Sequence, residues 1–132
     1  PEGEVTAATL RLRGAYALPP FTDAPLAGFV RIINVGPVPD TLVAVASDIA
    51  ERGLLHGSDS TVGGGMAHLT EIEVPRGDSV VLRPKGLHLM LEGLRTRPAV
   101  GDTVTVRLTF RRAGTVVLPL PVKSYDELPT SP

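Results

Sequence analysis

The sequence contains three histidines and two methionines, and all five, His56, Met66, His68, His88 and Met90, fall within one window of 35 positions. Methionine recruited as core filler would be scattered among the leucines and valines instead. The segment Leu87-His88-Leu89-Met90-Leu91-Glu92 sharpens the point. Read as a strand, it sends Leu87, Leu89 and Leu91 to one face and His88, Met90 and Glu92 to the other. Its methionine does not sit with its leucines. Side chains two residues apart on a strand project side by side about 7 Å apart, close enough to reach a common ion. His56 and Met66 flank a loop that ends in Gly63-Gly64-Gly65, which has the freedom to swing a sulfur inward. His68, two residues after Met66, can share its face and is either a substitute ligand or a neighbour of the site, with the neighbour favoured.

The donor types select the ion. Thioether sulfur is soft and weakly basic, so it does little for Zn²⁺, Mg²⁺ or Ca²⁺ and favours Cu(I). Imidazole serves copper in either oxidation state. Two imidazoles and two thioethers carry no charge, which suits a monovalent ion better than a divalent one. The chain has no cysteine, which excludes disulfides, thiolate zinc sites and a His-His-Cys blue-copper centre.

The frame that must position these donors is one compact domain: 132 residues, 42% of them hydrophobic, are enough for a single core. Thirteen basic and 14 acidic side chains nearly cancel, so the basic excess of a nucleic-acid surface is missing. No apolar run approaches the roughly 20 residues that span a bilayer. Pro1-Glu2-Gly3-Glu4 has none of the features of a signal peptide; any leader, with any lipid-anchor cysteine, would lie outside this stretch.

Short runs of Val, Leu, Ile and Thr alternate with Gly, Pro, Asp and Asn, the texture of an all-β sandwich. The pattern predicts strands near Val5–Arg13, Gly28–Asn34, Asp40–Ser47, Arg52–His56, Met66–Val74, Ser79–Arg83, Leu87–Glu92, Asp102–Phe110 and Thr115–Val122. Turns are expected at Asn34-Val35-Gly36-Pro37, Pro75-Arg76-Gly77-Asp78, Pro84-Lys85-Gly86 and Ala113-Gly114. Thr103–Phe110 alternates most cleanly, with Val104, Val106, Leu108 and Phe110 on one face. The expected organisation is an N-terminal strand region over 1–14, joined into one domain with a sandwich over 15–122, and a loose tail over 123–132.

These residues together resemble the PCuAC-type periplasmic copper chaperones. The resemblance rests on His56, nine residues, Met66, twenty-one residues, then His88-Leu89-Met90. The text around them agrees: Gly64-Gly65-Met66, Glu73-Val74-Pro75-Arg76-Gly77, Leu82-Arg83-Pro84-Lys85-Gly86-Leu87-His88-Leu89-Met90-Leu91-Glu92-Gly93-Leu94 and Gly101-Asp102-Thr103-Val104. Similarity runs loosely from about Ala15 to Val122. The resemblance implies a cupredoxin-like Greek-key sandwich, with His56, Met66, His88 and Met90 as ligands of one Cu(I). It also implies an extracytoplasmic metallochaperone, not an enzyme, that supplies the CuA domain of cytochrome c oxidase subunit II or another copper chaperone. The chain departs from the family pattern in two places. Its first gap is one residue shorter than the commonest spacing, and Gly57 stands where a methionine often follows the first histidine. Residues 123–132 contain neither His nor Met, so the Cu(II)-binding tail of many relatives is not expected here.

Other motifs carry less. Gly63-Gly64-Gly65 is followed by no Lys-Ser/Thr, so it is not a phosphate loop. Ser58-Asp59-Ser60 beside His56 reads as turn chemistry. Arg95, Arg97, Arg111 and Arg112 read as a solvated face that can help to dock an acidic partner. The competing functions are copper storage, electron transfer on a cupredoxin-like fold, and a metal-free interaction module. A monomer is expected.

Overall fold

The computed structural model describes residues 3–21, 24–58 and 66–127. Eleven strands are built from them: β1 (Val5–Ala7), β2 (Leu10–Leu18), β3 (Leu26–Asn34), β4 (Asp40–Ala46), β5 (Ala50–Ser58), β6 (Met66–Leu69), β7 (Ile72–Val74), β8 (Ser79–Leu82), β9 (His88–Leu94), β10 (Thr103–Phe110) and β11 (Gly114–Pro121). A 3-10 turn, Tyr125–Glu127, follows. One sheet runs β1-β2-β3-β9-β5-β6, with β8 also paired to β3; the other runs β11-β10-β4-β7. The strand pairs within both sheets are antiparallel. The chain crosses repeatedly between the sheets, which gives the sandwich its Greek-key character. No helix is long and apolar enough to cross a membrane among the described residues.

The core lies where alternation sends it. Val104, Val106, Leu108 and Phe110 of β10 and Val116, Leu118 and Leu120 of β11 face inward. They meet Leu10, Leu12, Ala17, Leu26, Val30, Ile32, Leu55, Leu89 and Leu91 of the larger sheet. Each large aliphatic buried in this way contributes about 1.5–3 kcal/mol. The sheets approach closely at Gly53 of β5, where a Cβ would lie 2.0 Å from the Val45 carbonyl oxygen. Only glycine fits there.

Two expected strands are each divided in two. Val5–Arg13 turns back on itself at Ala8, which takes φ 53°, so β1 and β2 form a hairpin that no Gly or Asn announces. Met66–Val74 breaks at Thr70-Glu71, and its halves go to different sheets: β6 pairs with β5, and β7 pairs with β4. This is a sandwich corner, where the chain changes layer without turning back on itself.

The connection that matters most runs from β8 to β9. Both lie along β3, where β8 pairs with Val30–Ile33 and β9 with Leu26–Gly28. The Pro84-Lys85-Gly86 turn joins them, as expected. Arg83 N–H donates to the Leu87 carbonyl at 2.8 Å and Gly86 N–H to the Arg83 carbonyl at 3.0 Å. His88 therefore enters β9 directly from a closed turn.

Candidate metal centre

Three histidines are brought into one row across three adjacent strands. His56 of β5 lies directly opposite His88 of β9 on one side and His68 of β6 on the other. The ring centroids are 5.6 Å apart for His56 and His88, and 5.9 Å for His56 and His68. A ring nitrogen sits about 1.2 Å from its centroid and about 2.0 Å from an ion it binds, so two rings sharing an ion have centroids within about 6.4 Å. Both pairs satisfy that limit.

Met90 lies two residues beyond His88 on β9, in register with Leu54 of β5 and Ala27 of β3. Leu89 and Leu91 are 1% exposed in the core, so His88, Met90 and Glu92 share the opposite face, as the sequence predicts. His56 is diagonal to Met90 across the strand pair, a spacing of about 7–8 Å that long side chains bridge. Met66 opens β6 with its backbone opposite Ser58. The Gly63-Gly64-Gly65 loop and Asp59-Ser60 lie outside the described residues.

His88 is the fixed member. The residue is only 7% exposed although its side chain lies on the face opposite Leu89 and Leu91. Its Nδ1 lies 2.9 Å from the Gly86 carbonyl oxygen. A carbonyl can only accept, so that nitrogen carries the proton and Nε2 keeps the lone pair that an ion needs. Phe29 covers the ring from β3 at a centroid distance of 6.4 Å, and Tyr16 backs Phe29 at 5.0 Å.

The surroundings of His56 favour its neutral form. Its pKa is lowered, chiefly by burial, then by the facing imidazoles of His88 and His68, with Glu92 opposing the shift. Glu92 is held by Arg52 at 3.3 Å. His68 is exposed. Among the described residues, no three His, Asp or Glu side chains are grouped so as to hold a metal ion. An ion seated on His56 and His88 would complete its shell from methionine or solvent. That donor set is neutral and soft, and it suits Cu(I).

Phe29 and Tyr16 were not singled out from the sequence. β3 reads as an apolar run without alternation, so the outward position of Phe29 is hidden there. Tyr16 reaches that face because β2 carries one extra residue between Arg13 and Tyr16, a bulge at Gly14 with φ 65°. Gly57 lies on the core side, where a Cβ would meet Leu87 at 2.6 Å and Leu69 at 3.0 Å. Its small size serves packing beneath the site.

Residues 10–122 match the LpqE-like lipoprotein family, and none of the curated proteins matches the chain. Several solved structures share the fold. The apo PCuAC domain from PmoF1 superposes with a TM-score of 0.82 at 22% identity, covering 92% of this chain and 98% of that one. The copper-bound PCuAC domain from PmoF2 gives 0.81 at 20% identity, covering 92% and 97%. CuI-DR1885 from Deinococcus radiodurans gives 0.64 at 26% identity, covering 92% and 81%.

Proposed function

Because this chain belongs to the LpqE-like family, whose fold is that of the PCuAC domains, we propose that it is an extracytoplasmic carrier of Cu(I), with His56, Met66, His88 and Met90 as its ligands. The observation that carries this reading is the His56–His88 pair, with rings 5.6 Å apart and Met90 on the same face of β9. Support comes also from the solved relatives described as copper-bound and as the CuI form.

Each residue has a distinct part. His88, buried and tied to the Gly86 carbonyl, presents Nε2 in a fixed direction and anchors the cargo. His56, whose neutral form is favoured, stands nearer to solvent, so it can leave first. The two thioethers match the softness of Cu(I) without adding charge. An incoming client can then displace the ligands one at a time. The thiolates of a CuA centre are anionic and bind copper more strongly than neutral thioethers, so the gradient runs from carrier to oxidase. The proposed client is the CuA domain of cytochrome c oxidase subunit II, and catalysis is no part of the role.

The test mixes Cu(I)-loaded protein with a soluble apo-CuA domain under controlled redox conditions and follows growth of the CuA absorption. Metallation without back-transfer is expected. Copper retained by the carrier, while free Cu(I) loads the same domain, would refute direct delivery and favour storage. One Cu(I) per chain in competition with a Cu(I) chelator tests the site itself. Preference for Zn²⁺ would overturn it.

A further inference from the structure

His68 takes no part in the proposed Cu(I) site, yet the fold aims it at His56. We propose that His56 and His68 form a second, exposed seat that takes Cu(II), sharing His56 with the Cu(I) site. The two residues are direct partners across the β5–β6 ladder, and their rings stand 5.9 Å apart, inside the roughly 6.4 Å limit for two imidazoles on one ion. This pair differs from His56–His88 in what surrounds it. His88 is buried beside Phe29, whereas His68 is exposed. An ion on the outer pair has room for water in its remaining positions.

That combination, two imidazole nitrogens and open oxygen positions, is the set that Cu(II) prefers in its tetragonal geometry. Among divalent first-row ions Cu(II) also binds such donors most tightly. A neutral imidazole has a single nitrogen lone pair. His56 can therefore serve the inner ion or the outer ion but not both, and the two oxidation states exclude each other.

The experiment titrates the full-length apo-protein with Cu(II) in the absence of reductant, using competition with a weak amino-acid chelator and EPR to count nitrogen ligands. One Cu(II) with two imidazole nitrogens is expected. His68→Ala should weaken Cu(II) binding about a hundredfold, the low end of what a second tethered ligand adds, and leave Cu(I) affinity within about threefold. His88→Ala should do the reverse. His68 is exposed on an edge strand, so its variant keeps the fold, and an unchanged thermal midpoint verifies this. Preloading wild-type protein with Cu(I) under anaerobic conditions should block Cu(II) uptake, a readout that needs no variant. The proposal is overturned if His68→Ala leaves Cu(II) affinity and EPR unchanged. It is also overturned if His88→Ala removes Cu(II) as effectively, or if both ions bind at once. Wild-type protein that takes Cu(II) as described but binds no Cu(I) would refute the carrier reading and leave this second seat standing.

Discussion

Lowering the pH from 7.5 to 5.5 sets protons against copper at the histidines, and the structure says how hard they compete. A histidine must be neutral to coordinate. An imidazole titrating at ~6.5 weakens an ion it binds by a factor of about 11 at pH 5.5 and about 1.1 at pH 7.5, so two such ligands together lose about a hundredfold across the interval. His56 departs from that reference because burial and the facing imidazoles of His88 and His68 lower its pKa. Its proton binds less readily, so the share of the loss that comes from His56 should be smaller than the roughly tenfold of a reference imidazole. Glu92 opposes the shift; Glu92→Gln should therefore lower the pKa of His56 further, but it also removes a negative charge that attracts Cu(I) as it attracts a proton. Cu(I) affinity should then fall slightly at pH 7.5 and change less at pH 5.5, which flattens the pH dependence. The same depressed pKa acts on the apo-protein. The unfolded chain takes up this proton first, so stability should fall as the pH drops through ~6.5 and stay level above it. The assay is competition with a chromophoric Cu(I) chelator calibrated at each pH, beside urea unfolding of the apo-protein. An affinity flat to pH 5.5 would refute histidine ligation. A loss that stays the same when His56 is replaced by Ala would refute the part given to His56.

Met90→Leu conserves volume beside Ala27 and Leu54, so it should cost less than about 1.5 kcal/mol of stability while weakening Cu(I) binding about tenfold or more; an unchanged chelator competition would remove Met90 from the ligand set. Asp40 is 4% exposed and accepts the backbone N–H groups of Thr41, Arg112 and Ala113 at 2.8, 2.8 and 3.0 Å. Asp40→Ala orphans all three, and calorimetry should show a loss of about 3 kcal/mol, or roughly 10 °C in Tm, with Cu(I) affinity unaffected; a shift under about 2 °C would contradict that account. Gly53→Ala would drive a methyl into the Val45 carbonyl, and a loss of about 1–3 kcal/mol or more is expected by urea unfolding. A neutral result there would mean that the sheets separate freely at that point.

How much was legible in the sequence depended on whether the governing pattern was local. Alternation along Leu87–Glu92 and Thr103–Phe110 is a property of the chain itself, since successive side chains of any strand oppose each other. It placed Met90 and His88 away from the core and identified the inward faces of β9 and β10 before any partner strand was known. Proline and glycine similarly marked the turn that delivers His88 into β9. The His and Met clustering also pointed to a soft cation without any fold, because donor chemistry does not depend on tertiary structure.

Strand pairing lay beyond that reach, because it joins residues distant in sequence. Only the β6-β5-β9 order sets His68, His56 and His88 in one row, and the second seat proposed for His68 rests on that row. The division of Met66–Val74 between two sheets followed from each layer's need for a partner, a demand that periodicity cannot express. The extra residue at Gly14 is the sharpest case. Leu10 and Leu12 set an alternation that would send Tyr16 into the core. The bulge against β3 shifts the phase by one, buries Ala15 and Ala17 instead, and turns Tyr16 outward against Phe29 behind the buried imidazole of His88.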